Sequence, residues 1–231
     1  MKSIAKLKLI LSATSLLLLG ACTTVNVDHV QLADSLNLTA GESIVVMGRH
    51  QSAEFETEPS LIECLGRRIA GGTNSVSVIP EPEFVNRFYP YFEARTAPLK
   101  PARLKAIFDL PIVAEQIATL DLRYFIWVEG STERTGGSGS MSCSVTGAGG
   151  GCFGFATWED TSDYEAIVWD ARKFEEVARV STDAVGTSYM PAFVVPVPLL
   201  ARVQSNACQG MGTQLVKFFE GDSTALKVKT N

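Results

Sequence analysis

The chain has 231 residues, with 20 basic and 25 acidic side chains, a net charge of −5 and two histidines. No Lys/Arg cluster is present, so it lacks the electrostatic footprint that holds nucleic acid. Its length is enough for one substantial core in a single domain.

In chain order, Lys2, Lys6 and Lys8 precede an apolar run, Leu9 to Leu19, that carries no charge. This is the layout of a secretory signal, too short to span a bilayer as a lasting anchor. Its end, Leu19-Gly20-Ala21-Cys22, resembles the lipobox of bacterial lipoprotein signals. The resemblance implies a diacylglyceryl group on the Cys22 sulfur, cleavage before it and acylation of the new amine. Two or more acyl chains hold a protein stably, at about 0.8 kcal/mol per buried methylene. Ordinary cleavage at a small-x-small site is the alternative, but Leu19 stands where a small residue belongs. Thr23, in place of an aspartate, resembles the pattern that permits transfer to the outer membrane. Loss of residues 1–21 leaves 210 residues with 17 basic and 25 acidic side chains, net −8. That charge gives no support to attraction by anionic lipid, so the acyl chains must do the anchoring. No other apolar run approaches the roughly 20 residues of a membrane span.

Residues 22–40 read as a tether, in which Val25, Val27 and Val30 could instead form an edge strand. Ser43 to Gly48 is a short β-branched run, consistent with a buried strand. Pro59 opens a helix carrying Leu61, Leu65 and Ile69, and Gly71-Gly72 stops it. Ser75 to Ile79 alternates as a half-buried strand, and strand–helix–strand with this crossover argues for a parallel, right-handed unit. A helix follows from Pro80 to Phe88, then an aromatic bend at Tyr89 to Phe92, a short helix near 102–108, and another from Pro111 with Val113, Ile117 and Leu120. Leu122 to Val128 is apolar on both faces, as a doubly covered central strand requires. Gly130 to Gly151 reads as a long hairpin loop. Cys152 to Trp158, Tyr164 to Asp170 and Phe174 to Ser181 read as an antiparallel meander with short connections at 159–163 and 171–173. Ala184 to Tyr189 is a loop and Val194 to Pro198 is extended. The last helix runs from about Ser205 to Glu220, with Cys208, Met211, Leu215 and Phe218 as its apolar stripe. Gly210 and Gly212 inside it each cost about 1 kcal/mol against Ala, so packing must hold it. Residues 222–231 are a polar tail. The expected organisation is a signal at 1–21, a tether at 22–40, one α/β (α+β) domain at 41–221 with a mixed sheet and a closing helix, and the tail.

Export places Cys64, Cys143, Cys152 and Cys208 in an oxidising compartment. Four cysteines allow three pairings, and sequence alone does not choose among them. Local geometry favours Cys143 with Cys152 across the glycine-rich segment, leaving Cys64 with Cys208 to tie the first helix to the last.

Gly149, Gly151 and Gly154 have the spacing of a dinucleotide fingerprint, but the residues after them read as strand where the motif needs a helix. A Ser-His-Asp system would have to use His50, and no Gly-x-Ser-x-Gly elbow occurs. No His-x-x-x-His or Cys-x-x-Cys pair is present, so neither a metal nor a cofactor is expected. Carboxylate chemistry needs no motif. Its candidates, Glu81 with Glu83, Asp160 with Asp163, and Glu54, Glu56 and Glu58, fall in predicted turns or helix starts, where acids are usually solvated or complement a helix dipole. Phe88, Tyr89, Tyr91 and Phe92 could form a partner surface, though such groups are more often core.

Helix-flanked strands, a meander and a closing helix over about Gly41 to Gly221 resemble the anticodon-binding-domain-like fold of the curli-secretion lipoprotein and of lipoprotein activators of penicillin-binding proteins. Against the first stands the expectation that no pair of amphipathic strands is long enough to line a transmembrane pore. More narrowly, LRYFIWVEGST, EAIVWD and the cysteine-bearing last helix resemble a family of uncharacterised bacterial lipoproteins. The resulting expectation is a non-catalytic accessory protein, anchored through Cys22 to the outer membrane and facing the periplasm, with an envelope protein as partner. The alternative is an envelope hydrolase using carboxylates or His50.

Overall fold

In the computed structural model of the chain, the described residues are 23–32, 36, 38–50, 56–73, 76–93, 96–98, 101–147 and 149–221. The expected signal, Cys22, Glu54 and the expected polar tail lie outside them. The elements are β1 (Thr23–Gln31), β2 (Ser43–Gly48), α1 (Pro59–Gly72), β3 (Ser77–Ile79), α2 (Glu81–Arg87), α3 (Pro101–Phe108), α4 (Pro111–Thr119), β4 (Leu122–Thr146), β5 (Gly149–Asp170), β6 (Glu175–Pro196) and α5 (Val203–Glu220). One mixed sheet has the order β1-β6-β5-β4-β2-β3. The chain divides into two compact units. Of the described residues, the larger holds those within Val25–Glu133, Thr161–Ala184 and 203–221; the smaller holds those within Arg134–Asp160, Val185–Arg202 and 23–24.

In the larger unit, β2 lies parallel to β3 on one side and to Leu122–Val128 of β4 on the other. All six β2 residues are buried, as a parallel strand covered on both faces requires. On one face, Val45, Met47, Phe125 and Trp127 join Phe84, Phe88, Phe92 and Phe108 from α2, α3 and the bend between them. Their rings meet at centroid distances such as 4.4 Å for Phe84–Phe88 and 5.3 Å for Phe108–Phe125. Phe88 and Phe92 are therefore core, while Tyr89 is exposed. On the other face, Gly48 lies against Ile62 of α1, and Tyr124 meets Phe219 of α5 with ring centroids 5.3 Å apart.

Helices α1 and α5 touch along one ridge, with contacts spaced four residues apart in both. Cys64 is bonded to Cys208, Arg68 lies over Gly212, and Gly72 lies under Val216. A Cβ on Gly212 would come within 2.9 Å of Arg68, and one on Gly210 within 2.7 Å of Val27 in β1. Close packing is thus the reason for the two glycines that weaken α5 as an isolated helix.

Several expectations are overturned. Residues 23–31, expected within a tether, form β1 at the edge of the sheet, the arrangement left open for Val25, Val27 and Val30. The segment Gly130 to Gly151 is not a loop: β4 runs unbroken to Thr146, and β5 begins at Gly149. Two of its glycines answer to close strand approach. A Cβ on Gly130 would lie 1.9 Å from the Asp163 carbonyl oxygen, and one on Gly139 2.2 Å from that of Phe155; both adopt positive φ. The connection expected at 159–163 is continuous β5, and the loop at Ala184 to Tyr189 is part of β6. With 25 residues in β4 and 22 in β5, strand length no longer supports the expectation against a pair of amphipathic, membrane-length strands.

Both cysteine pairs are bonded as local geometry favours: Cys64–Cys208, 144 positions apart, and Cys143–Cys152, nine apart. Loop-closure entropy assigns about 5 kcal/mol to the longer link and about 2.5 kcal/mol to the shorter. Urea unfolding of Cys64→Ala/Cys208→Ala should therefore show the larger loss of stability, and Cys143→Ala/Cys152→Ala roughly half of it. Equal losses would contradict the loop-length account.

Candidate functional site

Strand β2 is the point where the chain order reverses. Its crossover through α1 places β3 on one side, while β4 enters on the other. In open α/β sheets the space beyond the carboxyl ends of strands at such a point is where ligands bind. Here those ends are Gly48, Ile79 and Val128.

Leaving β2, the Arg49 amide donates to the Val128 carbonyl (3.0 Å), which delivers His50 to this end of the sheet. Glu81 arrives from the first turn of α2. Its Oε1 accepts from the Gly48 amide (2.7 Å) and lies 2.9 Å from His50 Nε2, while His50 Nδ1 is 3.6 Å from Glu56 Oε1. The His50 side chain is 19% exposed and that of Glu81 11%. The Glu81 hydrogen bond raises the imidazole pKa above its ordinary 6.5, against the opposing effect of burial. Beside them Arg49 pairs with Glu129 (3.5 Å), which also accepts from Trp127 Nε1 (2.9 Å). A groove of about 440 Å³ opens next to Glu81, lined chiefly by Val46, Ile62, Gly66, Val78, Pro80 and Pro82.

Of the sequence candidates, His50, Glu56 and Glu81 are thus brought together. Glu83 is exposed on the first turn of α2. Glu58 is bound elsewhere: Oε1 accepts from the Thr132 amide and Oε2 from the Tyr164 hydroxyl, each at 2.8 Å. Burial pushes the Tyr164 phenol well above its ordinary value. Asp160 pairs with Arg134 (3.4 Å) and is reached by Ser188 Oγ (3.4 Å), whereas Asp163 is exposed. Gly149, Gly151 and Gly154 lie within β5, with no helix start to meet a phosphate. Among the described residues no group of three or more His, Cys, Asp or Glu side chains is placed to hold a metal.

Sequence reading missed a charge network at the opposite strand ends. Arg123 bonds Asp170 (2.5 Å) and approaches Glu42 (3.7 Å), and Arg172 bonds Glu42 (2.9 Å). Burial alone would raise the Glu42 carboxyl, but bonds from Thr39 and the charges of Arg172 and Arg123 hold it below its ordinary value. Asp170 and Arg172 are joined locally, the Arg172 amide donating to Asp170 Oδ1 (3.0 Å), but Glu42 and Arg123 meet them through strand order alone.

The smaller unit has a different surface. No charged residue occurs from 135 to 158 or from 184 to 201. Large apolar side chains in these stretches are exposed: Val145 at 89%, Phe193 at 80%, Phe153 at 67%, and Phe155, Val194 and Val195 beside them in sequence. Phe153 packs edge-on against Phe193 (5.2 Å) and Phe155 lies 6.1 Å from Tyr189, so these rings share one face of the β5–β6 ribbon.

The His50–Glu81 pair has a pH signature. Because the folded pKa is raised, its stabilising effect is complete below pH 6.5 and fades as pH rises through the folded value. An NMR titration of His50 should give a midpoint above 6.5, and Glu81→Gln should bring it down. A midpoint at or below 6.5 in the unaltered chain would contradict the contact.

No family model and no curated relative matches the chain. Among solved structures it is similar to the PelC dodecamer from Paraburkholderia phytofirmans and to a point variant of it. Both are 13% identical, with a TM-score of 0.35. The match covers 85% of this chain and 97% and 98% of theirs, respectively.

Proposed function

We propose that the chain is a non-catalytic accessory protein of the bacterial envelope. Acyl chains on Cys22 hold it to the outer membrane, facing the periplasm. The uncharged surface of residues 135–158 and 184–201 is what it offers to an envelope protein partner. The observation that carries this reading is the concentration of exposed apolar side chains there: Val145, Phe153, Phe155, Phe193, Val194 and Val195. Monomeric proteins seldom expose contiguous apolar patches beyond a few hundred Å², and larger ones mark interaction sites. Support for the anchor comes from the charges and apolar run ahead of Cys22 and from its lipobox resemblance.

A second reading, a hydrolase, is favoured by the placement of His50 and Glu81 beyond the carboxyl ends of the parallel strands. Against it, one Glu81 oxygen is already engaged by both the Gly48 amide and His50, as a staple between β2 and α2 would be.

Two measurements test the proposal on the full chain in cells. Cys22→Ser should move the protein from the membrane to the soluble fraction, and unchanged retention would place the anchor elsewhere. Phe153→Ser/Phe193→Ser should reduce cross-linking to the captured partner at least tenfold while leaving the thermal midpoint nearly unchanged, and His50→Ala should leave that cross-linking intact. Loss of the cellular phenotype in a folded His50→Ala protein would instead support the hydrolase.

A further inference from the structure

Strand β4 has an open side. From Leu122 to Val128 it lies against β2, and just beyond, the Thr132 amide is taken by the Glu58 carboxylate. From Gly136 to Val145, among the described residues, its sole strand neighbour is β5. The Cys143 and Cys152 Cα atoms are 4.0 Å apart. That is the spacing of an antiparallel pair whose own amides and carbonyls point away from each other. The backbone groups of Cys143, and by alternation of Val145, therefore face the open side.

Natural sheets protect such edges with proline, lysine or a covering segment, because a row of free amides and carbonyls is a template for another strand. The β6 side of this ribbon is protected in that way. Pro191 and Pro196 lack amide donors, Tyr189 and Leu199 exchange both backbone bonds (2.9 and 2.7 Å), and the Val197 amide donates to the Pro191 carbonyl (2.9 Å). From Gly136 to Val145, β4 has no proline, no lysine and no covering segment among the described residues.

We infer that this edge pairs with the same edge of a second copy, antiparallel and about a two-fold axis. Three observations select that occupant. With one side open and the other closed, pairing between copies ends at two; two open sides would let it grow into a ring or filament. No residue from 135 to 146 is charged, so a copy meeting itself opposes no like charges across the new ladder. A copy of the chain also supplies a strand of the same length with the same outward-facing groups. The inference concerns the edge of the ribbon and does not rest on the apolar face proposed above.

Glycine-rich strands specify register weakly, so the test places a photo-cross-linking benzoylphenylalanine at Ser138, Ser140 or Ser142, one at a time, in the full chain in cells. Illumination should give a band at twice the chain's mass from at least one position, with β4 peptides joined to β4 peptides. Val145→Pro, which removes an outward amide while sparing the ladder to β5, should reduce that band at least tenfold. Ser140→Lys/Ser144→Lys, which opposes charges across the axis, should do the same without substituting the backbone. Absence of self-cross-links at all three positions would overturn the inference. So would a β4-to-β6 link between copies, capture of a different protein only, or a band that survives both sets of substitutions in folded protein. If instead the band forms and Phe153→Ser/Phe193→Ser leaves partner capture unchanged, the apolar-face reading fails while this one stands.

Discussion

A strand inside a sheet must satisfy the backbone groups on both of its sides, and β4 changes neighbours at Val128. Up to that residue it is held between β2 and β5, with helices over both faces, and the sequence LRYFIWV is apolar on both. When β2 ends at Gly48, the chain that follows takes over its bonding. The Arg49 amide and the Thr57 hydroxyl both donate to the Val128 carbonyl, and the Glu58 carboxylate accepts from the Thr132 amide. Unpaired buried backbone groups cost as much as lost hydrogen bonds, so this return of residues 56–58 across β4 is a requirement of the sheet. Farther along, β5 is the one strand beside β4 among the described residues, and the composition of β4 shifts to serine and glycine.

The same requirement shapes the site at the end of β2. Glu81 completes the amide of the last β2 residue, and through His50 it links the end of that strand to the segment carrying Glu56. Its position in the first turn of α2 suits a negative charge, since the helix dipole favours anions there. A carboxylate so engaged is a joint between strand and helix before it is anything else. Neutralising His50 loosens that joint, which makes the protonation state of one imidazole a structural variable of the larger unit.

Much of this architecture was legible in the residues. Pro59 and Pro111 do start helices, Leu61, Leu65 and Ile69 are the buried face of the first, and the crossover from β2 to β3 is parallel. The cysteine pairing followed from local geometry. What escaped was the length of β4, β5 and β6, because glycine, serine and acidic clusters signal turns when only neighbours along the chain are considered. Gly130 and Gly139 are present because a carbonyl of the adjacent strand occupies the space of a Cβ, and that constraint comes from residues 16 to 33 positions away. His50 stood out as one of two histidines, but Glu81, 31 positions on, became its partner only through the fold. In the Glu42–Arg123–Asp170–Arg172 network, Glu42 and Arg123 likewise became partners of the local Asp170–Arg172 pair only through the fold.

The two units meet the problem of stability by different means. In the larger, phenylalanines of α2, α3 and β4 and the ridge between α1 and α5 supply a layered core, to which the Cys64–Cys208 bond adds a long-range tie. An isolated two-stranded hairpin is marginal in water, and few side chains of the β4–β5 ribbon from 134 to 160 are buried. There a covalent bond at Cys143–Cys152 limits the freedom of the unfolded ribbon, and paired rings on one face add contact across strands. Restraint by a short disulfide asks nothing of the side chains around it. The ribbon is thereby released from building a core of its own, and Phe153, Phe155 and Phe193 can stand at its surface without the fold depending on their burial.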